Sequence, residues 1–267
     1  MTTEVEFAPG FDHTEEGWVI FPEDASFRKD IFPPEVMGHP AKANIYMIES
    51  ILNYVSKPGD IVMDPMSGTG TILVALTMNR GVIAIEIEEL YLQLQKQALE
   101  LMMPGLDNPY VLLLHGDCRK FLPLNANHIV FSPPYAAILK SNPLKAASTR
   151  SLAGSTYEDS IQHYSTSADN VGNLSRFLYN QAMEDVYQKC YQSLPSGGTL
   201  TVILKDYIEE QKRVFLSDWL QRVCIRAGFD QVDWFKRQSL GTGFLQLWRS
   251  RGMETVSDED IVVFRRP

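Results

Sequence analysis

Short apolar runs alternate with segments of helical periodicity along most of this chain, and that alternation limits the folds open to it. IVMD (61–64), VIAIEI (82–87), VLLLHGD (111–117), HIVF (128–131) and TLTVIL (199–204) each read as a buried strand. Residues 41–57 place Ile45, Ile48, Ile51, Leu52 and Val55 on one helical face, and further helices are expected over about 71–80, 89–101, 176–193 and 215–227. Segments 231–239, 243–249 and 260–265 read as closing strands. Strands alternating with helices predict an α/β fold with a doubly wound, mostly parallel sheet. Such sheets bind ligands at the carboxyl ends of their strands.

The remaining organisation is simple. Residues 1–40 lack periodicity and read as an irregular N-terminal arm, and 41–267 read as one domain. Within it, residues 136–175 are rich in Ser, Thr and Asn and read as a loop or small insert. At ~150 residues per domain, 267 residues do not ask for two. Apolar residues at 45% and charged residues at 21% exclude a disordered chain. The 3 cysteines, Cys118, Cys190 and Cys224, are far apart and lack metal-ligand spacing, so reduced thiols and no metal are expected. The N-terminus has no signal-peptide pattern, and no apolar run approaches the ~20 residues that span a bilayer. A cytoplasmic protein with no membrane partner is the expectation. The net charge of −9 argues against a sequence-independent nucleic-acid coat. An enzyme with a local basic cleft remains compatible, with Arg28, Lys29, Lys236, Arg237, Arg249, Arg251, Arg265 and Arg266 as its rim.

Four motifs fall at strand ends. Asp64-Pro65-Met66-Ser67-Gly68-Thr69-Gly70-Thr71 joins a strand to a helix, and Gly68 and Gly70 allow a tight turn that approaches a ligand closely. No Gly-Lys-Ser/Thr follows, so it is not a P-loop. Glu86 ends the second strand, where an acid accepts from ribose hydroxyls or simply meets solvent. Asp117 follows the third strand and suits either an adenine amino group or a helix N-cap. Its neighbour Cys118 reads as a buried wall of the same place rather than a nucleophile. After the fourth strand, Ser132-Pro133-Pro134-Tyr135 fixes the backbone and removes two donors. The flanking carbonyls and the Ser132 hydroxyl are then placed to accept from a planar amino group, with Tyr135 as a stacking face.

Together these residues resemble the S-adenosylmethionine-dependent amino-methyltransferases of nucleic acids. DPMSGTGT (64–71) resembles their first cofactor motif, and SPPY (132–135) their catalytic motif. GHPAKANIYMIESIL (38–52), with His39 and Lys42, resembles the segment that closes the methionine pocket, although Ala43 stands where that family has proline. SLPSGGTLTVILKD (193–206) extends the likeness. The resemblance implies a Rossmann-like, seven-stranded methyltransferase fold. It implies Asp64, Pro65, Met66, Ser67, Gly68, Gly70, Thr71, Glu86, Asp117 and Cys118 around the cofactor, with S-adenosylhomocysteine as product. It further implies DNA as substrate and a cognate restriction endonuclease as a candidate partner, while residues 136–175, with Lys140, Lys145, Arg150 and Tyr164 as a modest polar and basic set, read either as a small target-recognition element facing phosphates or as a plain surface loop.

Serine in the first catalytic position is, in the resembled family, more typical of cytosine N4 than of adenine N6 methylation. The chain has no Pro-Cys pair, which argues against methylation of cytosine C5. Adenine N6 methylation, RNA methylation and a non-catalytic binding module are the competing readings, in that order. Lys205 and Asp206, after TLTVIL, read as a surface ion pair.

Overall fold

The computed structural model describes residues 6–38, 42–134, 167, 169–209, 211–239, 250, 252 and 254–267. Among the described residues eleven strands run in chain order: β1 (Asp12–His13), β2 (Val19–Ile20), β3 (Ile61–Asp64), β4 (Gly81–Glu86), β5 (Val111–His115), β6 (His128–Phe131), β7 (Thr199–Leu204), β8 (Tyr207–Glu209), β9 (Lys212–Val214), β10 (Asp230–Gln238) and β11 (Asp258–Arg265). The α-helices among the described residues are α1 (Ala25–Ile31), α2 (Ile45–Val55), α3 (Glu89–Met102), α4 (Cys118–Phe121), α5 (Arg176–Ser193) and α6 (Leu216–Ala227).

One sheet has the order β1-β2-β10-β11-β7-β6-β3-β4-β5. Its centre, from β7 to β5, is parallel throughout, while β11 runs antiparallel to both β7 and β10. All six residues of β4 are buried, as befits a strand covered on both faces. One apolar cluster joins α2, α3 and the N-terminal segment on one face; another joins α4, α5 and α6 on the other.

The secondary structure departs from the sequence reading in three places. Among the described residues the sheet holds nine strands rather than seven, because β1 and β2 extend it beyond β10. The segment read as an irregular arm contains those strands and α1. Its scattered aromatics, which give no period, fill individual gaps: Phe7 stacks on Phe235 at 4.1 Å, and Phe21 and Phe32 are buried. Third, the helix expected after the glycine turn is a 3-10 helix, Thr71–Met78. Thr71, Ile72, Val74 and Thr77 are β-branched, which lowers its α propensity. Asn79 ends it in the left-handed region at φ 59°. The expected strand 243–249 lies outside the described residues.

Asp206 is a buried group and not half of a surface pair. It accepts from Arg213 Nε at 2.7 Å and from the backbone N–H of Leu216 at 2.9 Å. Arg213 also reaches Asp258 at 2.6 Å, which fastens the β8–β9 hairpin to the sheet.

Candidate active site

The carboxyl ends of β3, β4, β5 and β6 open onto one cleft with about 780 Å³ of empty space, open solvent included. Pro65, Met66, Gly68, Glu86, Asp117, Cys118, Ser132, Pro133 and Pro134 line it. Motifs read separately from the sequence therefore share one wall. His39, Tyr135, Lys140, Lys145, Arg150 and Tyr164 lie outside the described residues.

Glu86 holds the glycine turn. Its Oε2 accepts the Gly68 N–H at 2.6 Å and its Oε1 the Glu88 N–H at 2.8 Å. The side chain is buried, and no cation pairs with it among the described residues. Burial pushes its carboxyl up to about 7 against the pull of those two N–H groups. Asp64, one strand over, is pushed up to about 8, chiefly by burial and further by Glu86. Its Oδ1 accepts the Met66 N–H at 2.9 Å. Burial also pushes the Cys118 thiol up to about 12, so it stays protonated and is no nucleophile at neutral pH.

Several residues of the turn stand behind the wall rather than on it. Ser67 Oγ donates to the Ile85 carbonyl at 3.1 Å and accepts from Gln95 Nε2 at 2.8 Å. Gln95, fully buried on α3, also donates to the Gly68 carbonyl at 2.7 Å. Gly70, at φ +84°, lies against Gln95. Thr71 Oγ1 accepts from Arg28 Nη1 at 3.3 Å. Lys42, before α2, donates to the Met37 carbonyl at 3.0 Å; burial and then the like charge of Arg28 hold its amine below the usual range.

Asp117 caps α4, accepting the Arg119 N–H at 2.9 Å. The Arg119 guanidinium binds the same carboxylate, at 2.9 and 3.0 Å through Nε and at 2.8 Å through Nη2. Tyr91, Gly116 and the stretch Asp169–Val171 complete the cleft, and no sequence motif marked them. Tyr91, one turn before the buried Gln95 on α3, was within reach of a periodicity argument; Asp169–Val171 was not.

The expected cationic rim is corrected at several positions. Arg28 is fully buried and pairs with Asp24 at 2.5 Å. Lys236 is held by Asp258 and Asp260, and Arg237 by Glu259. Arg266 donates to the carbonyls of Tyr191 and Leu194 at the end of α5. Lys29 and Arg265 are exposed. Arg249 and Arg251 lie outside the described residues.

Residues 12–97 match the N6/N4-type DNA methylase family. The match takes in the glycine turn and Glu86 and ends before Ser132. No curated protein sequence matches the chain. Among solved structures, TrmN from Thermus thermophilus aligns at 16% identity and a TM-score of 0.49, over 85% of this chain and 50% of that one. This chain thus spans half the length of that relative. A methyltransferase from Pyrococcus furiosus aligns at 15% identity and a TM-score of 0.50, over 85% of this chain and 86% of that one. A precorrin 8w decarboxylase from Methanobacterium thermoautotrophicum aligns at 13% and 0.50, over 92% and 98%. The shared feature is the fold: a Rossmann-like sheet of the kind found in S-adenosylmethionine-dependent methyltransferases. Among the described residues, no helix is long and apolar enough to cross a membrane.

Proposed function

We propose that this chain is a DNA methyltransferase that moves a methyl group from S-adenosylmethionine to the exocyclic amino group of a flipped base, with cytosine N4 as the preferred target. One observation carries the reading. The glycine turn, Glu86, Asp117 and Ser132-Pro133-Pro134 line a single cleft. The family match over residues 12–97 supports DNA as the substrate.

The residues present fit the methyl donor. Gly68 sits at φ +53° with open space where a Cβ would project, so the turn leaves room for a ligand. Glu86 offers a buried carboxylate whose only hydrogen-bond partners among the described residues are backbone N–H groups, leaving lone pairs for hydroxyl donors. S-adenosylmethionine, when bound, supplies an electrophilic methyl group on a sulfonium sulfur. Glu86 would hold its ribose, Asp117 and the start of α4 its adenine, and the turn from Pro65 to Gly68 its remaining length.

The chain's own work is on the other reactant. An aromatic amino nitrogen is a weak nucleophile because its lone pair is delocalised into the ring. Pro133 and Pro134 lack N–H groups and have fixed φ, so the backbone carbonyls beside them stay in place as acceptors. Ser132 is exposed at the mouth of the cleft and adds a neutral acceptor. Two acceptors on one amino group draw the nitrogen toward tetrahedral geometry and localise its lone pair. The rest of the rate comes from holding that nitrogen in line, a matter of position. Tyr135 is the proposed stacking partner of the flipped base. Lys140, Lys145, Arg150 and Tyr164 are the proposed contacts to the target strand.

The test is to incubate the protein with tritiated S-adenosylmethionine and duplex DNA, and separately with total RNA, then identify the labelled nucleoside. N4-methylcytosine in DNA is expected. N6-methyladenine would overturn the inference from Ser132, and label confined to RNA would overturn the substrate class.

A further inference from the structure

The stretch Asp169–Val171 forms part of the cleft wall, although it lies far in sequence from every motif of the site. Two bonds from α4 pin it there. Arg119 Nη2 donates to the Asp169 carbonyl at 2.9 Å, and Lys120 Nζ pairs with Asp169 Oδ2 at 2.7 Å.

Asn170, next in the chain, is 8% exposed and lines the cleft. Its Oδ1 accepts the Gly172 N–H at 2.8 Å, capping the short 3-10 turn Val171–Asn173. A carboxamide carries one oxygen and one NH2 group, so this bond decides which way the amide faces. The NH2 group is left over, and Nδ2 has no partner among the described residues. A donor left over on a mostly buried residue that lines a cavity is placed to meet a ligand.

The neighbouring carboxylate sharpens the point. Asp117 Oδ1 accepts twice from Arg119, at 2.9 Å each, and Oδ2 accepts from its Nε at 3.0 Å and lies 2.8 Å from its Nη2 as an ion pair. A carboxylate has about four acceptor positions and Arg119 fills three by hydrogen bonds, so Asp117 keeps about one for the adenine. Asn170 then stands as the free polar group beside α4. Glu86, Glu88, Asp117 and Asp169 line the same cleft, which disfavours an anionic ligand atom there and favours a neutral acceptor.

We infer that Asn170 is a ligand-binding residue whose carboxamide NH2 donates to a ring nitrogen of the adenine of the methyl donor, an inference that rests on the cofactor reading above. Asn170→Asp and Asn170→Ser both keep an oxygen for the Gly172 N–H, and both lose the donor. Calorimetric titration of S-adenosylhomocysteine into the full chain should give a Kd at least about tenfold weaker for each variant, at unchanged melting temperature. Asn170→Asp should be the weaker binder, because it adds a negative charge. Titration of analogues lacking N1, N3 or N7 in turn identifies the partner atom. One of them should lose affinity in the wild type and lose nothing further in Asn170→Ser. Wild-type affinity in both variants, or equal losses for all three analogues, would overturn the role of Asn170. Absence of binding by the wild type would instead overturn the cofactor reading itself.

Discussion

Glu86 receives the backbone N–H of Gly68 on its carboxylate at 2.6 Å, joining the end of β4 to the turn that leaves β3. The bond makes one residue both a clamp on the glycine turn and a wall of the cleft. Glu86→Gln keeps the size but offers one acceptor atom where two N–H groups, those of Gly68 and Glu88, now bind. One donor is left facing an amide NH2, at a cost of about 1–3 kcal/mol. Urea unfolding should register that loss, and S-adenosylhomocysteine affinity should fall at least about tenfold. A variant with wild-type stability and affinity would remove Glu86 from both roles.

Stability without ligand should depend on pH through the same region. Glu86 is raised from 4.5 to about 7, and Asp64 from 3.8 to about 8. A carboxyl whose folded value lies above its unfolded value stabilises the fold when protonated. That contribution is complete below about pH 4 and is lost as pH rises through the folded values. Between pH 5 and 8 these two groups therefore make the unfolding free energy fall with rising pH, each by at most about 1.4 kcal/mol per unit. Glu86→Gln should flatten the part below pH 7. An identical slope in that variant would contradict the assignment.

The two glycines of the turn should respond differently to alanine. At Gly70, φ is +84° and a Cβ would lie 2.6 Å from Gln95 Cγ. Gln95 is bonded to Ser67 and Gly68 and cannot move aside freely. Backbone strain of about 1–2 kcal/mol and overpacking of about 1–3 kcal/mol add up to a clearly less stable protein. At Gly68, φ is +53° and the space is open, so Gly68→Ala should cost only about 1–2 kcal/mol. Its methyl group would project from a residue that lines the cleft, so its effect should fall on cofactor affinity. Paired denaturation and binding measurements separate the two; equal stability losses would count against this geometry.

What was legible in the sequence was local. The glycine turn, Glu86, Asp117 and Ser132-Pro133-Pro134 each follow an apolar run, and the parallel sheet delivers strand ends to one edge. What was not legible depends on partners far away in the chain. Arg28 reads as a free cation until Asp24, Ala43 and Thr71 are seen to surround its guanidinium. Asp206 reads as exposed until the β8–β9 hairpin brings Arg213 over it. Asn170 carries no motif, and the reach of Arg119 and Lys120 to its neighbour Asp169, far along the chain, places it in the site. Single aromatics of the N-terminal segment likewise have no period, because each fills a separate gap.

In the proposed reaction Ser132 offers the target amino group a neutral hydrogen-bond acceptor. Ser132→Ala should lower kcat about 2- to 10-fold, the worth of one neutral bond, and leave S-adenosylhomocysteine affinity unchanged. Steady-state methyl transfer together with calorimetry checks both halves. A loss of cofactor affinity without a change in kcat would move Ser132 out of the catalytic role.

The most direct measurement is a crystal structure of the protein with S-adenosylhomocysteine. The ribose hydroxyls are expected on Glu86, the adenine between α4 and Asn170, and the sulfur facing Ser132 and Pro133 across the same cleft. Ligand bound elsewhere, or a cleft still empty at saturating ligand, would contradict the claim that one cavity serves both the methyl donor and the base.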